Sequence, residues 1–220
     1  MMDVVTCSRS GPPGAIFRSL PLSMYRAIPL RDEFSLRGLE ECAMKTLINK
    51  RFARLLKTCG ASRDTSIVVL DGQECLTSTR LRKHFTDITV VNPLLSLAAT
   101  NRVRHFRMYL FEYLRDFEFE PNSSAHFALD YCGEYTGSIR VKPRVDLRLL
   151  FAKGMLLRKN GILWLTASLR RLTREARSSH LTDVADDVIA MARASGYTLS
   201  VVRAERYRKG GMAYWFFQSS

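Results

Sequence analysis

The sequence predicts an α/β protein built on a doubly wound, mostly parallel, seven-stranded sheet that ends in a C-terminal antiparallel hairpin. Three observations support this. From residue 67 onward, short apolar runs alternate with helix-compatible segments, the pattern of a parallel sheet covered by helices on both faces. The last two runs, "GYTLSVVRAERY" and "AYWFFQSS", are separated only by "RKGGM", too short for a parallel crossover, so they must pair antiparallel. The chain has 220 residues, 46% of them hydrophobic and 10% aromatic, enough to bury the core of one sizeable domain with a short extension.

Residues 1–32 read as an irregular basic arm, since "SGPPGAIFRSLPLSMYRAIPL" carries four prolines and two glycines that interrupt regular structure. Over its first 31 residues, Arg9, Arg18, Arg26 and Arg31 against the single acid Asp3 give this arm the composition of an organellar transit peptide or of a flexible basic tail. A helix is expected over 33–58, with Leu36, Leu39, Ala43, Leu47, Ile48 and Leu55 on one face. Gly60 ends it, and residues 60–220 form the main domain. Strands are expected at 67–70 (IVVL), 88–91 (ITVV), 126–130 (HFALD), 162–166 (ILWLT), 197–202 (YTLSVV) and 213–217 (AYWFF), with a further one near 103–107. Helices are expected near 77–84, 94–101, 108–116, 144–158 and 180–194. Tyr207, Tyr214, Trp215, Phe216 and Phe217 read as core packing on the terminal strands rather than as a base-stacking platform.

Thirty-four Lys and Arg against 21 Asp and Glu give a formal net charge of +13 and a sequence pI of about 9.9. That balance favours a polyanionic partner, RNA before DNA. The five cysteines (Cys7, Cys42, Cys59, Cys75, Cys132) form no CxxC pair, and the four histidines (His84, His105, His126, His180) are isolated. Free thiols in a reducing intracellular compartment, cytoplasmic or nuclear with organellar import open, are the expectation, with no metal site. No apolar run approaches the roughly 20 residues that span a bilayer, so no membrane partner is expected.

In a doubly wound sheet, ligands bind beyond the carboxyl ends of the strands. The residues there are Asp71 and Gly72 after the first strand, Asn92 and Pro93 after the second, Asp130 to Gly133 after the central one, and Thr166 to Ser168 after the next. With the terminal hairpin, the aspartate-glycine turn and the "DxxG" turn, this pattern resembles the Rossmann-like class I S-adenosylmethionine-dependent methyltransferases over roughly residues 60–220. Within it, "FALDYCGEYTGS" followed by "VDLRLLFAKGMLLRKNGILWLTASLR" is similar to the tRNA guanine exocyclic-amine dimethyltransferases. Asp130 and Gly133 match their turn, and Gly161, Leu163, Thr166 and Ala167 match their next strand.

The resemblance implies S-adenosylmethionine as cofactor. Asp71, Gly72, Glu74 and Thr77 would surround its methionyl part, the amides of Thr77, Ser78 and Thr79 would face its carboxylate, and Asn92 and Pro93 would lie at the end of the second strand where the ribose is held. Asp130 and the carbonyl of Tyr131 would accept hydrogen bonds from a base amino group, with the Tyr131 ring stacked on an unpaired or flipped base. A phosphate-binding rim would come from Arg140, Lys142, Arg170 and Lys209, joined by Arg144, Arg171, Arg174, Arg206 and Arg208. Three positions depart from the pattern. The loop "DGQECLTST" has one glycine where a GxGxG loop is usual, Asn92 stands where an acid is usual, and Tyr131 replaces a proline. They keep open a cofactor-less relative that serves as an RNA-binding or assembly protein, with Asp71-Gly72 a structural turn and Asp130 a turn-capping carboxylate. A small-molecule or protein methyltransferase fits the fold but leaves the charge unexplained. A dehydrogenase is disfavoured because GxGxxG is absent.

Overall fold

The computed structural model describes residues 39–72, 75–93, 103–116, 124–136, 142–207 and 211–220. In chain order these form α1 (Leu39–Thr58), β1 (Ile67–Leu70), α2 (Leu76–Leu81), β2 (Ile88–Val91), β3 (Arg104–Phe106), α3 (Leu110–Asp116) and β4 (His126–Asp130). They continue as α4 (Pro143–Ala152), β5 (Ile162–Ser168), α5 (Arg174–Ala194), β6 (Leu199–Tyr207) and β7 (Met212–Ser219). One seven-stranded sheet runs in the order β3-β2-β1-β4-β5-β7-β6. Strands β1 to β5 pair in parallel. The expected hairpin is present, and β7 inserts antiparallel between β5 and β6.

Side chains alternate across a strand, and here they sort into two cores. Phe127, Leu129, Leu163, Leu165, Trp215 and Phe217 face α3, α4 and α5, meeting Leu114, Leu150, Phe151 and Val188. Ala128, Ile162, Trp164, Tyr214 and Phe216 face the other way, against Ile48, Phe52 and Leu56 of α1 and Leu81 of α2. Phe52 packs on Trp164 with ring centroids 5.4 Å apart. The aromatic residues near the C-terminal end are therefore core, as their alternation indicated.

Several boundaries differ from expectation, each for a local reason. The buried stripe of α1 is Ile48, Phe52 and Leu56, whereas Leu47 is exposed; an i, i+4, i+8 stripe with Phe at its centre buries more apolar surface than the one expected. Helix α4 stops at Ala152 because Gly154 adopts φ +67 and the chain turns to bridge Leu156 to Ala125. Helix α5 starts at Arg174, where the Thr173 side chain accepts the Ala176 N–H at 3.2 Å, a threonine N-cap. Helix α2 ends at Leu81. The expected helix at 94–101 and the arm at 1–32 lie outside the described residues. No described helix is long and apolar enough to cross a membrane.

Candidate active site

Strand order reverses between β1 and β4, so the crevice at the carboxyl end of this pair is where a ligand enters a sheet of this kind. Asp71, Asn92 and Asp130 occupy the carboxyl ends of β1, β2 and β4.

Asp71 is 3% exposed and its carboxylate points into the protein. Oδ1 accepts the N–H of Gly72 at 3.0 Å and of Thr77 at 3.3 Å, and Oδ2 accepts that of Ser78 at 2.7 Å. The first amides of a helix have no partner within it, and Cys75, at φ 48, offers no side-chain cap to α2. Asp71 supplies that cap from the preceding strand. The expectation that the Thr77 and Ser78 amides face a cofactor carboxylate is thus corrected: both are taken by Asp71. Burial, then the nearby Asp71 charge, pushes the Cys75 thiol up.

Asn92 is likewise turned inward. Its carboxamide donates to the Asp71 carbonyl, and its backbone N–H donates to the Phe106 carbonyl at 3.0 Å. It stitches the ends of β1, β2 and β3 together. Pro93 follows half-buried, with Arg107 Nε 3.4 Å from its carbonyl. At Gly72 and Gly133 a Cβ would meet open space, so neither is there for close packing. The Thr77 hydroxyl is fully buried and has no partner among the described residues.

Asp130 is held on both oxygens. Thr166 Oγ1 of β5 lies 2.9 Å from Asp130 Oδ1 and 2.9 Å from the Tyr131 carbonyl. Lys45 of α1 pairs with Oδ2, leaving 14% of the lysine and 6% of the aspartate side chain exposed. The same ammonium sits 5.8 Å from the centre of the Trp164 ring. Lys45 was missed in the sequence. Its signal was a cation one turn before Asn49 on the apolar stripe of α1.

Tyr131 does not stack in the crevice. It is 2% exposed and its ring belongs to the core facing α4 and α5. Its hydroxyl donates to Asp146 Oδ2 at 2.6 Å. Burial, then the Asp146 charge, raises this hydroxyl well above its usual range. Burial pushes Asp146 up to about 6, against the opposing effect of the Tyr131 hydrogen bond. The stacking role for Tyr131 is thus overturned by period-two alternation: Asp130 faces α1 and Tyr131 the opposite layer.

Of the expected rim, Lys142 and Arg170 are exposed. Arg144 is instead bound to Asp187 at 2.8 and 2.7 Å, and Arg171 lies 3.5 Å from Glu134. Glu74, Arg140 and Lys209 lie outside the described residues. Among the described residues no group of three or more His, Cys, Asp or Glu is placed to hold a metal ion.

Five parallel strands, a reversal between β1 and β4, and a seventh strand inserted antiparallel together decide the architecture. The chain has a Rossmann-like methyltransferase fold. A provisionally named sarcosine dimethylglycine methyltransferase from Galdieria sulphuraria is similar over 82% of this chain and 88% of its own, with TM-score 0.50 and 10% identity. The N-methyltransferase NodS from Bradyrhizobium japonicum matches 79% of this chain and 97% of its own, with TM-score 0.46 and 14% identity. A provisionally named hemolysin from Lactococcus lactis matches 77% and 86%, with TM-score 0.48 and 14% identity. At such identities the likeness is one of fold alone. No family model matches the sequence, and no curated protein matches it.

Proposed function

We propose that the protein is an S-adenosylmethionine-dependent methyltransferase acting on nucleic acid, RNA before DNA, at a base nitrogen. The observation that carries this reading is the sheet order, with polar residues at the carboxyl ends of β1, β2 and β4 around the switch point. The net charge of +13 supports the polyanionic substrate.

The loop after β1 fits the cofactor in two respects: the open space over Gly72, and the buried, unpartnered Thr77 hydroxyl in the turn that follows. In this reading Gly72 and Thr77 hold its polar end, and Asn92 and Pro93 border the other. Asp71 acts from behind by fixing the start of α2. When bound, the cofactor supplies a methyl group already activated on a sulfonium. The chain's own task is then to orient the acceptor and exclude water. Asp130 accepts an N–H of the incoming base, sharing its carboxylate with Lys45 and Thr166. Tyr131 orients the turn through Asp146. Lys142 and Arg170 meet phosphates.

One set of contacts favours a second reading, a cofactor-less RNA-binding or assembly module. Asp71, Asn92 and Asp130 all bond inward. Isothermal titration calorimetry with S-adenosylmethionine and S-adenosylhomocysteine decides between the two. Micromolar binding of either is the expected result; no heat from a folded sample at high protein concentration would leave only the second.

A further inference from the structure

A second concentration of positive charge lies at the other end of the sheet. Lys50, Arg54 and Lys57 are exposed on α1 at i, i+4 and i+7, which places them on one stripe about 10 Å long at 1.5 Å per residue. The end of this stripe meets two loops. Lys57 Nζ is 3.1 Å from His84 Nδ1, just past α2. The N–H and hydroxyl of Thr86 donate to the Arg63 carbonyl at 2.7 and 3.0 Å. Arg63 thus lies in a loop held to the one that carries Arg82 and Lys83 and ends the Lys57 stripe; Arg63 and Lys83 are exposed and Arg82 is half-buried. These loops lead into the amino ends of β1 and β2, since Ile67 pairs with Ile88. The corner is thus on the edge opposite Asp71, Asn92 and Asp130.

None of these six cations pairs with a carboxylate among the described residues. Of the acids nearest in sequence, Asp87 is taken by Arg104 and Ser66, while Asp64, which accepts the Ser62 hydroxyl at 2.5 Å, keeps its single charge beside Arg63. Six cations against the one uncompensated charge of Asp64 repel one another and sum to a field that draws a polyanion. The surface lacks what a membrane-binding helix needs, because the apolar face of α1 (Ile48, Phe52, Leu56) is buried against the sheet.

We propose that this corner is a nucleic-acid contact surface that grips the phosphate backbone without reading bases, separate from the crevice. Strands of four or five residues put the two edges only about 15 Å apart, so one nucleic acid reaches both. The inference rests on charge and geometry and stands whether or not methyl transfer occurs at the opposite edge.

The test is fluorescence anisotropy of the full chain with a labelled single-stranded RNA of about 20 nucleotides, titrated at several salt concentrations. The same-sequence DNA and vesicles containing phosphatidylserine serve as the other probes. Arg54→Gln combined with Lys83→Gln removes two exposed cations that make no packing contact in the core. The slope of log K against log salt should flatten by about 1.4, at about 0.7 per phosphate contact on a single strand. Heat of S-adenosylmethionine binding should be unchanged. Lys50→Glu with Lys57→Glu should weaken RNA binding further. The proposal is overturned if the double variant keeps the wild-type slope, if the wild type binds vesicles and not RNA or DNA, or if Arg170→Gln alone abolishes the salt dependence. That last outcome would leave the crevice reading intact, whereas loss of cofactor binding alone would leave the corner intact.

Discussion

Replacing Lys45 by methionine tests the contact that most constrains the candidate site. The substitution keeps the length of the side chain and its packing on Trp164, where a thioether makes a contact comparable to the cation's. What it removes is the partner of a carboxylate that is 6% exposed. Breaking a buried pair from one side costs about 3–5 kcal/mol. Asp130 keeps the Thr166 hydroxyl at 2.9 Å and sits at the carboxyl end of the central strand β4, so the lower end applies, about 3 kcal/mol. For a domain of this size that lowers Tm by about 6–12 °C. Urea unfolding followed by tryptophan fluorescence reads it directly, because Trp164 and Trp215 are both fully buried. Asp130→Asn should cost less, about 1 kcal/mol, because the lysine left behind can extend its ammonium to water. The double variant should be more stable than the sum of the singles implies by about 2 kcal/mol. A loss below about 0.5 kcal/mol in Lys45→Met, or strict additivity, would refute the claim that this pair is a desolvated unit.

The Asp146 carboxyl and Gly161 give two further expectations. Burial raises Asp146 to about 6 in the folded protein, so its contribution is intact below its unfolded value and is lost as pH rises through about 6. Asp146→Asn, which keeps an acceptor for Tyr131, should gain stability relative to wild type as pH rises from about 4 to about 6 and keep that gain at higher pH, by up to about 3 kcal/mol; a pH-independent difference in urea midpoints from about pH 4 to 7 would contradict this. At Gly161 a Cβ would lie 2.2 Å from the Leu157 carbonyl and 2.9 Å from Ser219 Oγ. Gly161→Ala should therefore destabilise by several kcal/mol, and a wild-type thermal melt would show that this close approach is not maintained.

The parallel strands were legible because a strand buried on both faces is a nearly continuous run of apolar and β-branched residues, as "IVVL" and "ITVV" are, and the hairpin because five residues cannot form a crossover. The end of α4 was legible in part: Gly154 in "AKGMLL" is the same kind of stop as Gly60 and adopts φ +67, whereas the pairing of Leu156 with Ala125 that draws the next residues to the sheet has no local signal. At the site, the positions of Asp71, Asn92 and Asp130 follow from where the strands stop. Their directions do not. Asp71 serves α2 because Cys75 cannot cap it, and no propensity encodes that substitution of roles. The direction of Tyr131, by contrast, is legible, since Phe127, Leu129 and Tyr131 alternate onto one face and Asp130 onto the other. Lys45 needed the fold, because its partner lies 85 positions away in the chain.

The insertion of β7 between β5 and β6 also dictates an order of assembly. The ribosome releases β5, then α5, then β6, yet these two strands have no hydrogen bonds to one another in the finished sheet. Both present open edges until residues 212–219 arrive. The same eight residues carry Trp215 and Phe217 to one core and Tyr214 and Phe216 to the other. Neither layer can therefore close while the chain is still growing through β6. Completion is a late, long-range event, and in the interval before it the protein depends on not meeting another strand first.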